Sequence, residues 1–181
     1  MGKSNFIVGG ARSGKSDFAL ELAEKIGSSD KYFLATCPAY THSDAEMAAR
    51  IYKHKEGRQG RGWTTIEEEL DLCQALQELP ENAIVLIDCM TLWVSNLLHA
   101  QGAGGVDEKM VEQHIERLFE LCSKRSGAVV MVSGEVGCSV VPENALARSF
   151  RDLVGRCNQT VGRLADSVFM VSCGIAIQIK G

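Results

Sequence analysis

Gly9, Gly14, Lys15 and Ser16 stand at the spacing G-x-x-x-x-G-K-S inside the stretch Phe6–Ser16, FIVGGARSGKS. These residue types at this spacing suit phosphate chemistry. Glycines let the backbone curl so that successive N–H groups face one anion. Lys15 then reaches the β- and γ-phosphates, and Ser16 offers a hydroxyl to Mg²⁺. A glycine-rich turn with a surface lysine is the bland alternative. The apolar run before it and the amphipathic run after it favour a P-loop between a strand and a helix.

Two further groups of residues can serve the same chemistry. Ala83–Asp88, AIVLID, is an apolar run ending in an acid, as a Walker B strand does, and Asp88 would hold Mg²⁺ directly or through water beside Ser16. Arg50, His54 and Arg58 follow at i, i+4 and i+8, with Lys53 and Lys55 flanking the histidine. A K/R/H cluster is commonly a solvated helix face. Here it is a local cationic patch in an acidic chain that already has a polyphosphate site. Nearby cations favour the neutral, nucleophilic imidazole.

The elements that must position these groups follow from periodicity. A helix is expected over Ser16–Lys25 with Phe18, Ala19, Leu22 and Ile26 on its buried face, ended by Gly27 and Ser28. Lys31–Thr36 reads as a buried parallel strand whose carboxyl end, at Ala35, Thr36 and Cys37, is where ligands sit in open α/β sheets. After a loop from Cys37 to His42, Ser43 and Glu46 form a capping box for a helix to about Glu56. Gly57–Trp63 reads as a turn-rich connection and Thr64–Ile66 as a short strand. A helix is expected over Glu67–Leu79, with Leu70, Cys73 and Leu76 inward and Glu67, Glu68 and Glu69 complementing its dipole, ended by Pro80. Helices follow at Thr91–Ala100 and near Asp107–Ser126, joined by a glycine-rich turn at Gly102–Gly105. Ala128–Val132 reads as a strand leading into Ser133, Gly134 and Glu135. Pro142 fits the first turn of a helix running towards Leu164. Its basic residues Arg148, Arg151, Arg156 and Arg163 either reach phosphate or are solvated or paired, for instance with Asp152. Val168–Ser172 and Ile175–Lys180 read as a closing hairpin that adds an antiparallel strand to a mostly parallel sheet. The fold class is α/β, a P-loop domain with helices flanking the sheet.

The 181 residues suit one domain spanning the whole chain. A net charge of −4 gives no encouragement to general nucleic-acid or anionic-membrane binding. Seven cysteines scattered singly, with no C-x-x-C, argue against structural zinc or a disulfide framework. No stretch reads as a signal sequence or a membrane span, and the expected compartment is the reducing cytoplasm.

Four separated blocks resemble one family. GGARSGKS, EMAARIYKHKEGR, LIDCMTLWVSNLL and EVGCSVVPENALARSFRDLVGRCNQ are together similar to the bifunctional adenosylcobinamide kinase/adenosylcobinamide-phosphate guanylyltransferases of cobalamin biosynthesis, over nearly the whole chain. The resemblance implies a RecA-like fold, a homotrimer, and ATP or GTP with Mg²⁺. Adenosylcobinamide is phosphorylated, and GMP is then moved from GTP onto adenosylcobinamide phosphate through a guanylylated histidine. That histidine falls on His54, with Lys15 serving catalysis at the P-loop. The nucleotide-contacting positions fall on Gly9, Gly10, Ala11, Arg12, Ser13, Gly14, Lys15, Ser16, Ala35, Thr36, Cys37, Lys55, Glu56, Gly57, Arg58, Glu67 and Asp88, and the metal on Ser16 and Asp88. Two departures stand out: Gly134 where the family often has Asn, and a slightly long loop from Cys37 to Ser43. A plain P-loop kinase and a RecA-like DNA-binding module are the competing readings. No general base for the substrate hydroxyl stands out. A large corrinoid against a short chain suggests a cleft partly between subunits.

Overall fold

The computed structural model describes residues 2–27, 30–37, 45–102 and 105–181, without the side chains of residues 45–47, 50 and 54. The strands are β1 (Ser4–Gly9), β2 (Lys31–Ala35), β3 (Trp63–Glu67), β4 (Ile84–Asp88), β5 (Val129–Gly134), β6 (Ser167–Ser172) and β7 (Ile175–Lys180). Between them run α1 (Lys15–Ile26), α2 (Ala45–Glu56), α3 (Leu72–Gln77), α4 (Met90–Gln101), α5 (Glu108–Lys124) and α6 (Ala145–Leu164).

The strands form one sheet in the order β3-β2-β4-β5-β1-β6-β7, parallel except for β7, which pairs antiparallel with β6. The continuous apolar runs of β1, β4 and β5 are explained by cover on both faces. On one face α1 packs Ala19, Leu20 and Ala23 against Ile7, Phe33, Leu86 and Val132. On the other, α3 to α6 bring Leu76, Trp93, Leu97, Ile115, Leu118 and Val161 over Phe6, Leu34, Val85 and Ile87. Each buried Leu, Ile, Val or Phe side chain among these stabilises the fold by about 1.5–3 kcal/mol. Parallel register then decides where chemistry can happen: Ala35 pairs with Asp88, Asp88 with Val132, and Gly9 with Gly134, so these strand ends share one edge.

Several expectations change. Glu67 closes β3 and helix α3 starts only at Leu72, because Asp71 caps it by accepting the N–H of Gln74. The Glu68 carboxylate accepts the Leu70 and Asp71 N–H groups, so the three glutamates are not the first turn of a helix. Leu70 is exposed, while Cys73, Leu76 and Leu79 are buried. Ile26, expected inward, is also exposed, at the last residue of α1. Pro142 lies before α6 rather than in its first turn, since Asn144 takes the cap and accepts from Leu146 and Ala147. The Ser43–Glu46 capping box and the middle of the turn at 102–105 lie outside the described residues.

Two polar devices tie distant segments. Asp166 accepts the Ser4 N–H and hydroxyl at 2.7 and 2.6 Å, locking the start of β6 to β1. Those hydrogen bonds hold its carboxyl below the usual aspartate range. The group's stabilising contribution is therefore present above the unfolded aspartate pKa and is lost as pH falls through the lower folded value. Arg125, buried at the end of α5, donates to the carbonyls of Leu76, Leu79, Pro80 and Ala83, at distances from 2.7 to 3.4 Å. It seals the end of α3 and the turn into β4.

Arg125→Ala, which leaves buried carbonyls short of a donor, is expected to cost about 3 kcal/mol and to lower the melting temperature by roughly 6–12 °C. Calorimetry of wild type and variant checks it. Asp166→Asn should flatten the acid limb of stability between about pH 5 and pH 2, measured by urea unfolding across that range.

Candidate nucleotide site

The P-loop leaves β1 at Gly9 and enters α1 at Gly14, which caps the helix in the left-handed region with φ 92°. Arg12 also has positive φ, and Ser13 N–H donates to the Gly10 carbonyl. Glycine is required sterically at both ends of the loop. A Cβ on Gly9 would collide with the Val171 carbonyl, and one on Gly14 would meet Gly174 Cα at 3.3 Å. At Gly10 a Cβ meets nothing within 4 Å, so there the chain itself does not demand glycine. The turn between β6 and β7 braces the loop from outside, where Gly174 N–H donates to Ser13 O at 2.9 Å. Lys15 Nζ lies across the loop on the Gly10 carbonyl at 3.0 Å. Ser16 follows in the first turn of α1, at the positive end of the helix.

Asp88 ends β4 on the same edge. Its neighbour Cys89 is tied to Thr36, which is fully buried: the Thr36 hydroxyl donates to Cys89 O at 2.8 Å and accepts from Cys89 N–H at 2.7 Å. Thr36 N–H donates to Asp88 O, and the Asn96 amide donates to the carbonyls of Thr36 and Glu69. The expected contact segment Ala35–Cys37 is therefore placed beside Asp88, with the Thr36 hydroxyl engaged in fixing the turn. Burial pushes the Cys89 thiol up to about 12, with the Asp88 charge adding to the effect, so it is no nucleophile at neutral pH.

The second cationic group arrives from the other end of the sheet. Helix α2 carries His54, whose side chain lies outside the described residues, as does that of Arg50. Lys55 is described and pairs with Glu67 at 2.9 Å, both half-exposed, which joins two of the expected contact positions. Glu56 ends α2 and Gly57 starts the turn after it. Arg58 is 5% exposed, and its guanidinium sits over the Phe33 ring at 3.5 Å. Among the described residues its Nε and Nη1 meet no acceptor. Burial lowers its pKa, and the charge of Asp88 acts against that shift. An open cleft of about 870 Å³ beside it is lined by Tyr52, Lys55, Trp63 and Thr65, among others. A smaller cavity of about 240 Å³ lies between α3, α4 and α5, away from the P-loop.

Similarity to known proteins accords with this arrangement. Residues 5–179 match the family model described as cobinamide kinase / cobinamide phosphate guanyltransferase. The chain belongs to this family. It is 40% identical to the bifunctional adenosylcobalamin biosynthesis protein CobU of Salmonella typhimurium, covering 96% of this chain and 98% of that protein. It is 39% identical to the Escherichia coli CobU at the same coverage, and 35% identical to the Pseudomonas aeruginosa CobP, over 98% and 97% of the two chains. Among solved structures, an ATPase domain matches with TM-score 0.54 and 13% identity over 93% of this chain and 68% of that one. The RadB recombinase matches with TM-score 0.52 and 13% identity over 93% and 73%. Likeness at that identity speaks for the RecA-like P-loop fold alone.

Three of the blocks that carry the cobinamide kinase/guanyltransferase resemblance start or pass at this edge, residues 9–16 after β1, 86–98 across the end of β4 and 135–159 after β5, and Lys55 of the fourth pairs with Glu67 at the end of β3. Gly134, where the family often has Asn, ends β5 with its N–H on the Thr91 hydroxyl and its carbonyl accepting from the Asn158 amide at 3.0 Å. Thr91 also shares a hydrogen bond with buried Ser133 at 3.1 Å. A Cβ at 134 would stand 3.1 Å from the Thr91 hydroxyl, so a larger residue there needs Thr91 to shift. An amide thus still serves this strand end, supplied from α6. The arginines of α6 are paired elsewhere: Arg156 with Glu108, Arg163 with Glu112 and Glu116, Arg151 with Asp152, and Arg148 on the Pro142 and Glu143 carbonyls.

The donor set at Ser16 and Asp88 is oxygen, as Mg²⁺ requires, and the open space at Gly10, where a Cβ would meet nothing within 4 Å, leaves room for the phosphates that complete a magnesium shell. Among the described residues no cluster of three or more His, Cys, Asp or Glu offers an all-protein metal cage, which is the usual situation for nucleotide-borne magnesium. Sequence reasoning missed the bracing roles of Thr36, Asn96 and Thr91 and the place of Phe33, and singled out Asn158 on the last helix without its strand-end partner; only the fold brings them together.

Thr36→Val keeps the volume but strands the Cys89 N–H. The expected result is a loss of about 2 kcal/mol together with weaker Mg²⁺-dependent GTP binding, while Thr36→Ser, which keeps the hydroxyl, retains most of both. Thermal unfolding and nucleotide titration of the pair check it.

Proposed function

We propose that the chain catalyses two successive transfers on a corrinoid: phosphorylation of adenosylcobinamide by ATP or GTP, then transfer of GMP from GTP to adenosylcobinamide phosphate, giving adenosylcobinamide-GDP and pyrophosphate. The observation that carries this reading is that the P-loop and Asp88 stand at one sheet edge in a member of the cobinamide kinase/guanyltransferase family, with the charge of Asp88 felt at the buried Arg58. The names of the relatives, each bifunctional and in adenosylcobalamin biosynthesis, support two activities in one chain.

In the kinase step the acceptor hydroxyl oxygen bonds to the γ-phosphorus as the bond to the β-phosphate bridging oxygen breaks. The P-loop N–H groups and Lys15 orient and neutralise the phosphates. In the guanylyl step a ring nitrogen of His54 bonds to the α-phosphorus of GTP while pyrophosphate leaves. An oxygen of adenosylcobinamide phosphate then displaces the histidine, which is regenerated. Lys55 and Arg58 stabilise charge on the phosphoryl group in transit. Mg²⁺, when held by Ser16, Asp88 and phosphate oxygens, supplies further charge neutralisation. Ala35–Cys37 and the Lys55–Arg58 segment contact the nucleotide, with Glu67 holding Lys55.

In the same reading the working particle is a cytoplasmic homotrimer. Ile175, Ile177 and Ile179 on the edge strand β7 offer it an exposed apolar surface. No helix among the described residues is long and apolar enough to cross a membrane.

Incubation with Mg²⁺ and GTP labelled at the α-phosphate, then denaturation and intact-mass analysis, tests the covalent step. A GMP-sized, acid-labile adduct on the wild type and none on His54→Ala is the expected result. A wild type that binds GTP and phosphorylates the corrinoid yet forms no adduct reduces the chain to a kinase.

A further inference from the structure

Glu24 on α1, Arg61 in the turn after α2 and Trp63 at the head of β3 form a polar cluster away from the phosphate cradle. Arg61 grips the Glu24 carboxylate with two nearly parallel hydrogen bonds, Nε to Oε1 at 2.9 Å and Nη2 to Oε2 at 2.7 Å. Trp63 Nε1 donates to the same Oε1 at 2.9 Å. The third arm of the guanidinium, Nη1, donates back to the Gly57 carbonyl at 3.0 Å, and Lys31 Nζ donates to Arg61 O at 2.7 Å. Backbone bonds from Arg58 to Lys55, from Gln59 to Glu56 and from Arg61 to Arg58 complete a tightly wound turn. The Glu24 carboxylate thus ties the turn to the helix that begins with Lys15 and Ser16, while Lys31 ties it to β2.

A relay runs from that anchor to the cleft. Trp63 stands edge-on to Phe33, with ring centroids 6.5 Å apart at 87°, and the Arg58 guanidinium also packs on the Phe33 ring. Glu24 thereby fixes the Trp63 ring, which supports the Phe33 ring on which Arg58 lies. A surface ion pair in isolation contributes little to global stability. This one is bidentate, shared with an indole and attached to a turn that ends in a buried cation, which is the arrangement of a support for site geometry.

The geometry points to Glu24, acting through Arg61 and Trp63, as a positioning residue that holds the Lys55–Arg58 segment in register with the P-loop helix. This rests on the reading that Arg58 contacts the nucleotide. It requires no new group at the phosphates.

The test is a double-mutant cycle on the full chain, read as the Kd of the α,β-methylene analogue of GTP, which cannot release pyrophosphate. Glu24→Gln and Arg61→Lys are each expected to weaken binding about tenfold, with melting temperatures within about 3 °C of wild type. In the Arg58→Ala background Glu24→Gln should add less than about a twofold loss, because the residue it positions is gone. Unchanged affinity in both single variants overturns the inference. So does an equal loss with and without Arg58, or an Arg58→Ala variant that binds as wild type. Because the analogue reports binding alone, absence of a GMP adduct on the wild type would defeat the covalent reading without deciding this one.

Discussion

The structure depends on the parallel pairing of β1 with β5 and β6 and of β4 with β2 and β5. Parallel strands end on the same edge, and a one-residue slip in any of these registers would exchange the side chains facing the two helical layers and move a strand end along the edge. With the register fixed, Gly9 lies opposite Gly134, and Asp88 lies between Ala35 and Val132. The sheet is buried on both faces by α1 on one side and α3 to α6 on the other, so the loops at its carboxyl edge are presented by a rigid scaffold.

At that edge the polar groups are arranged in two layers. Thr36, Asn96, Thr91 and Asn158 direct their hydrogen bonds to backbone groups of neighbouring strand ends, fixing the turns. Lys15 lies on the Gly10 carbonyl of the P-loop, while Arg58 is buried against Phe33. Arg58 is the more costly of the two, since burial disfavours its charge and only part of its guanidinium is hydrogen-bonded. The negative charge of Asp88 offsets some of that cost, and an anionic ligand seated there would offset more.

Much of this is legible in the sequence because it is local. The P-loop spacing, the acid at the end of AIVLID and the final hairpin each declare themselves within a dozen residues, and the α/β class follows from strands alternating with helices. Where the structure departs from expectation, a neighbouring interaction outweighs local composition. EEEL after Ile66 has helical composition, yet Glu67 pairs with Ala35 in the sheet and Asp71 is the better cap, so tertiary pairing overrides propensity. Pro142 fits a first helical turn, but Asn144 caps more strongly. The packing of Arg58 on Phe33 is beyond reading from sequence, because it joins a turn to a strand through tertiary packing that no single segment encodes.

If one edge of the sheet holds the nucleotide between the P-loop, Asp88 and Arg58, a crystal structure with Mg²⁺ and the α,β-methylene analogue of GTP tests it most directly. The β- and γ-phosphates should lie against the backbone of residues 9–16, the metal beside Ser16 and Asp88, and the Arg58 guanidinium within hydrogen-bonding distance of the nucleotide. A nucleotide seated elsewhere, or one on the P-loop with Arg58 still buried against Phe33 and out of contact, would contradict it.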